Sequence, residues 1–176
     1  MDILTVRELQ KSDIPLIADY WVNSPGEHLI GMGVDLTKMP PRDAFIEMLQ
    51  KQLSLSLEKR NSYCIIWLID GKPIGHCNTN PTKFGKEANM HLHIWENENR
   101  KQNNGMAFLK MTIPLFFKNL NLERLFCEPY SLNPAPNRLL EKVGFKFVKE
   151  YTVIPGSINF EQTVNQWVIY RKSVTP

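Results

Sequence analysis

The run Arg100-Lys101-Gln102-Asn103-Asn104-Gly105-Met106-Ala107 sets two basic side chains ahead of a glycine, between an apolar stretch with strand spacing, Met90 to Trp95, and one with helix spacing. A strand that feeds a glycine turn and then a helix leaves backbone N–H groups without intrahelical partners, at the positive end of the helix dipole. Such a turn cradles an anion. Arg100 and Lys101 at its mouth add charge-assisted hydrogen bonds worth about 1.5–3 kcal/mol each. The N–H groups from Gln102 through Ala107 complete a site suited to a pyrophosphate, with Gly105 keeping a Cβ away from the phosphate. A polar turn that ends in a helix cap has the same pattern, so the neighbouring elements decide.

Just upstream, Met90-His91-Leu92-His93-Ile94-Trp95 alternates. On a strand His91, His93 and Trp95 share one face, and Met90, Leu92 and Ile94 the other. An imidazole titrates near neutrality, which suits it to take a proton from an amine whose solution pKa lies near 10. His91 stands first for that role, His93 second, and Glu96, acting through a water, third. Structural histidines under a loop are the competing explanation. A metal site of His76, His91 and His93 is not expected, because no Cys, further His or acid stands at tetrahedral ligand spacing.

With 176 residues, 43% of them hydrophobic, the chain can bury one core, and a single domain spanning residues 1–176 is expected. A net charge of +3 is too small to mark a nucleic-acid protein but is compatible with a local anionic ligand. Cys64, Cys77 and Cys127 lie in apolar runs without Cys-x-x-Cys spacing, so they are expected to be buried thiols. No stretch approaches the roughly 18 apolar residues of a membrane span. A cytoplasmic setting is the simplest expectation.

These groups need elements to carry them. The pattern predicts a first strand over Ile3 to Leu9, a helix capped by Ser12, and a loop with some helix from Ser24 to Pro41. A second helix follows over Asp43 to Lys59, then a hairpin of Ser62 to Ile69 and Pro73 to Asn78 turning at Asp70-Gly71. A polar loop, Asn80 to Glu87, leads to a strand over Ala88 to Trp95, and a helix from Gly105 to Leu120 contains Pro114, where a kink or early stop is expected. Arg124 to Glu128, Phe145 to Ile154 and Val164 to Arg171 follow as strands around a helix over Pro134 to Val143. This order predicts a mixed α/β (α+β) sheet of about seven strands, with about four helices and one parallel crossover.

Downstream lie Glu128-Pro129-Tyr130-Ser131-Leu132-Asn133 and Glu141-Lys142-Val143-Gly144-Phe145. From Ser62 to Arg171 the chain resembles the GCN5-related N-acetyltransferase (GNAT) family, and its two earlier helices fit the same layout. The resemblance implies acetyl-CoA as co-substrate, no metal, and a V-shaped splay between the fourth and fifth strands that holds the pantetheine arm. It implies coenzyme contacts from Asn133, Asn137 and the cradle, and a backbone N–H of Ile94 or Trp95 facing the thioester oxygen. Met90 to Ile94 with Glu128-Pro129-x-x-x-Asn133 is also similar to the siderophore-type acyltransferases, where His91 matches their histidine, and the Pro-x-x-x-Asn spacing resembles the aminoglycoside 6′-N-acetyltransferases. The chain departs from these patterns at two places: Tyr130 replaces an acid, and Leu140 replaces the tyrosine that many members use to protonate the leaving thiolate. Tyr130 or Ser131 could substitute.

The function expected is direct transfer of an acetyl group from acetyl-CoA to a primary amine of a small molecule or peptide, by a monomer or homodimer without nucleic-acid or membrane partners. A non-catalytic coenzyme A-binding module of the same fold is the alternative. A non-enzymatic interaction domain leaves the strand, cradle and helix order unexplained. Acids in the segments 24–41 and 155–165 suit a cationic acceptor.

Overall fold

The computed structural model describes residues 2–96 and 104–174. Seven strands, β1 (Leu4–Glu8), β2 (Tyr63–Ile69), β3 (Lys72–Lys83), β4 (Glu87–Ile94), β5 (Arg124–Cys127), β6 (Lys146–Val153) and β7 (Gln162–Tyr170), form one sheet in the order β1-β2-β3-β4-β5-β7-β6. Every neighbouring pair is antiparallel except β4 and β5, which are joined by a helical crossover. Five α-helices lie among the described residues: α1 (Ile14–Asn23), α2 (Gly26–Gly31), α3 (Arg42–Ser54), α4 (Asn104–Asn119) and α5 (Pro134–Val143).

The run Tyr63–Ile69 is apolar throughout because β2 is covered on both faces. Tyr63, Ile65 and Trp67 join the core that contains Phe108 and Phe116 of α4 and Leu140 of α5. Cys64, Ile66 and Leu68 pack with Ile14 and Ile17 of α1 and Leu49 of α3. On β4 the alternation carries Met90 into the first core, which turns His91 and His93 to the α1 face.

The hairpin turns at Asp70 and Gly71, both at positive φ, as expected for a two-residue connection. At the end of α5, Gly144 takes φ +104° and its N–H returns to the carbonyls of Leu140 and Glu141, which stops the helix. Three expectations need correction. The first helix is entered through a 3₁₀ turn, where the Asp13 carboxylate rather than Ser12 accepts the Gln10 N–H, at 2.8 Å. β3 runs through the expected polar loop to Lys83, its irregular register at Thr79 to Thr82 stabilised by a buried hydroxyl pair at 2.8 Å. Pro114 does not stop α4: it lies on the exposed side, where the carbonyl left without a partner can face water.

Candidate active site

β4 and β5 pair only at Glu87↔Arg124, Ala88↔Leu125 and Asn89↔Phe126, yet β4 runs on to Ile94. Beyond Asn89 the strands diverge and open a V. The Trp95 N–H donates to the Ile74 carbonyl at 2.9 Å, so it belongs to the β3 side. Because N–H directions alternate along a strand, the amides of Leu92 and Ile94 face the β5 side, into the V. Of the two N–H groups expected at the thioester oxygen, that of Trp95 is bonded in the ladder and that of Ile94 points to the β5 side.

The α1 face of β4 carries a ring cluster. His93 stands opposite His76 of β3, and their rings stack at 4.8 Å. Tyr20, from α1, brings its hydroxyl within 3.3 Å of His93 Nδ1 and 3.2 Å of His28 Nε2 on α2. Trp21 meets His93 edge-on at 4.9 Å. The Trp95 indole N–H donates to His76 Nδ1 at 2.8 Å, and burial pushes the His76 pKa down to about 3, with the His91 charge a smaller cause. His76 is thus a neutral wall. Leu16, Asp19, Tyr20, Asn23, Ser24, Pro25 and Trp95 line an open cleft beside it.

His91 turns the other way. Its Nε2 lies 2.8 Å from the Asn80 carbonyl, which can only accept, so that nitrogen carries the hydrogen and the ring's lone pair lies on Nδ1. Burial lowers its pKa, while the Asn80 hydrogen bond and the Glu128 charge act upward. Glu128, just past β5, accepts Tyr151 O–H at 2.8 Å and a Gln166 amide N–H, both on Oε1. Burial first, then Glu128, pushes the Tyr151 pKa up to about 12. The three histidines do not converge on one point. Among the described residues, no group of three or more His, Cys, Asp or Glu side chains is placed to hold a metal ion.

Asn133 and Asn137 separate. Asn133 is the N-cap residue of α5, and its side chain makes no capping bond. Asn137 is turned inward. Its amide donates to the carbonyls of Tyr130 and Asn133 and accepts from Asn165 Nδ2 and Trp167 Nε1, which uses two donors and both lone pairs. It joins α5, the β5–α5 loop and β7, so the coenzyme contact expected of it is a structural knot. Tyr130 bridges Val164 through its backbone and sets its ring edge-on against Phe160. Glu96 is exposed and pairs with Lys72 at 3.2 Å.

Of the cradle, Arg100, Lys101, Gln102 and Asn103 lie outside the described residues. Asn104, Gly105, Met106 and Ala107 form the first turn of α4, half-buried. A Cβ on Gly105 would come 3.1 Å from the Leu139 side chain. Glycine there leaves room for the Leu139 side chain of α5, in addition to the phosphate clearance expected of it.

The two segments expected to frame an acceptor are tied to each other. The Gly33 carbonyl accepts from Asn159 Nδ2 and Gln162 Nε2, both at 2.9 Å, and from the Phe160 N–H. Asp35 N–H donates to the Ile158 carbonyl, so the α2–α3 segment and the β6–β7 loop form one wall. The sequence hides most of this cluster. Tyr20 has the spacing of a helix core residue and His28 that of a loop residue, and nothing in the chain links them to His93.

The acetyltransferase (GNAT) domain family matches residues 4–146. No curated protein sequence matches significantly. Among solved structures, a spermidine N-acetyltransferase from Vibrio cholerae in complex with CoA and spermine superposes with a TM-score of 0.78 at 17% identity, covering 97% of each chain. A dodecameric structure of spermidine N-acetyltransferase from the same organism gives 0.73 at 18%, covering 97% of this chain and 95% of that one. RimL, a ribosomal L7/L12 alpha-N-protein acetyltransferase in complex with coenzyme A, gives 0.74 at 13%, covering 95% and 93%. At these identities the likeness is one of fold.

Proposed function

The chain belongs to the GNAT acetyltransferase family, and on that premise we propose that it moves an acetyl group directly from acetyl-CoA to a primary amine of a small molecule or peptide. The observation that carries this reading is the end of β4–β5 pairing at Asn89 and Phe126, beside a strand face bearing two histidines. An extended arm with two amides can pair with the backbone left between such strands. Residues Leu92 and Ile94 from β4 and Asn133 from β5's side suit that arm, and the first turn of α4 suits the phosphates. The neighbours that hold CoA share this fold.

The bound thioester supplies the activated acyl group. The Ile94 N–H is the donor for its carbonyl oxygen. The amine must arrive without its proton, and we place His93 ahead of His91 as the base. The hydrogen of His91 is committed to Asn80 on the β3 side, away from the V, whereas His93 meets the Tyr20 hydroxyl, a group that can donate or accept. The N–C bond forms as the C–S bond breaks, the amine proton passes to His93, and the thiolate leaves to be protonated by solvent or by Tyr130. No cysteine relays the acyl group: Cys64, Cys77 and Cys127 are buried, and burial raises all three thiol pKa values well above the ordinary range. Glu128, with its hydrogen bonds on Oε1, offers Oε2 to a second cationic group of the acceptor.

An acetyl-CoA consumption screen across amino acids, polyamines, aminoglycosides and peptide N-termini tests the reading. Amine-dependent thiol release, reduced about 100-fold in His93→Gln with coenzyme binding retained, is the expected result. Coenzyme binding without thiol release for any amine would leave the non-catalytic module instead.

A further inference from the structure

Glu128 is fixed by neutral groups. It follows β5, and Gln166 of β7 and Tyr151 of β6 reach it across the sheet, the Gln166 amide N–H and the Tyr151 O–H both donating to Oε1. Lys149, opposite Gln166 on β6, sets its Nζ over the Tyr151 ring at 4.4 Å. No Lys or Arg among the described residues forms an ion pair with the Glu128 carboxylate. Glu87, where β4 and β5 still pair, is held instead by both Lys83 and Arg124. One acid is matched by cations at the closed end of the V, and the other has no ion-pair partner among the described residues at its open end.

A hydroxyl and a primary amide give a carboxylate charge-assisted hydrogen bonds without cancelling its charge. With both of them on Oε1, the plane of the group is set and the lone pairs of Oε2 stay uncommitted. Leu125 and Cys127 of β5 join the α4 core, so by alternation Glu128 turns to the other side of the sheet, that of His91 and His93. Resting on the reading of this site as that of an amine acetyltransferase, we propose that Tyr151 and Gln166 are positioning residues that hold Glu128 as the anchor for an acceptor's second cation, and so make the site prefer a doubly charged amine to a singly charged one. The distal ammonium pairs with Oε2 while the reacting amine gives its proton to His93. Tyr151 and Gln166 act only through Glu128.

Lys149 shows what the two residues prevent. It lies two positions from Tyr151 on the same strand face, with its ammonium on the ring. A carboxylate released from the hydroxyl and the amide is free to swing toward that ammonium and form an ion pair there, which takes the charge away from the acceptor.

Calorimetry on the protein with coenzyme A bound reads the preference without turnover. The probes are α,ω-diaminoalkanes of four to eight carbons, each set against the alkylamine of the same length. The expected result is a diamine that binds the wild type about 10-fold tighter than its monoamine, a preference that falls below about 3-fold in Tyr151→Phe/Gln166→Leu and in Glu128→Gln. A merely structural role would weaken both amines alike and leave their ratio unchanged. Tyr151→Phe removes a single hydroxyl and serves where the double variant does not fold; its preference should drop about 2- to 3-fold, with KM for the diamine rising more than kcat changes. A wild type indifferent to the second amine, or variants that keep the wild-type ratio, overturns the proposal. A preference that collapses in the variants, in a protein that releases no thiol with any amine, would sink the transferase reading and leave the anchor standing.

Discussion

His91 and Glu128 occupy equivalent positions on the two arms of the V. Each lies two residues beyond the last facing couple, Asn89 and Phe126, and so each is on the same side of the sheet. One arm presents an imidazole and the other a carboxylate, across a gap where the backbone no longer pairs.

Glu128→Gln should therefore raise KM for a cationic amine by about 10-fold or more, with a smaller change in kcat. It should also lower the His91 pKa further, since the Glu128 charge is one of the two influences that raise it. Steady-state kinetics and a histidine titration by NMR check the two parts separately.

His76 links stability to pH. Its folded-state pKa of about 3 lies below the unfolded value of 6.5, so between these values the unfolded chain binds more protons. The stabilisation is present in full above pH 6.5 and is lost as pH falls from there toward 3, by an amount on the order of a few kcal/mol. His76→Asn should flatten that part of the curve. Urea denaturation at pH 7 and pH 4.5 gives the comparison.

Asn133 and Asn137 should fail differently. Asn133→Ala should weaken coenzyme binding about 10-fold with the melting temperature nearly unchanged. Asn137→Ala strips the Trp167 and Asn165 donors of their partner and should cost about 1–3 kcal/mol of stability. Calorimetric binding and thermal melts on both variants separate the roles, and equal stability losses would undo the distinction.

Gly33 admits no side chain. It sits at φ +83°, and a Cβ would overlap the Gln162 side-chain amide that donates to its own carbonyl. Gly33→Ala should cost about 2–4 kcal/mol, by denaturation. It should also loosen the rim formed by the α2–α3 segment and the β6–β7 loop, raising KM for the amine more than for acetyl-CoA.

Gly105→Asp puts a charged side chain where a Cβ already comes 3.1 Å from Leu139. The start of α4 should be displaced, and acetyl-CoA affinity should fall at least about 10-fold through a shifted, more negative cradle. Calorimetry measures the affinity, and an unchanged value would detach this turn from the phosphates.

Much of the fold was legible because it rests on local rules. Asp70-Gly71 marks a hairpin by turn chemistry, and Pro134 to Val143 with Gly144 behind it marks a helix by its entry and exit residues. The face of His91, His93 and Trp95 followed from alternation alone. Where two elements compete for one group, local rules ran out. Asn137 looked like a ligand-facing polar residue until β7 brought Trp167 and Asn165 against it. Trp95 lost its expected amide role to a carbonyl on β3.

By itself the chain determined its elements, its mixed sheet and its family, because hydrophobic period, caps and turns act within a few residues. Only the tertiary structure decided which histidine meets Tyr20 and His28, which asparagine is spent, and why Gly105 is small. Those outcomes depend on hydrogen-bond partners many positions apart, Tyr20 to His93 among them. A donor's single hydrogen can be assigned only after packing has brought the competing acceptors together.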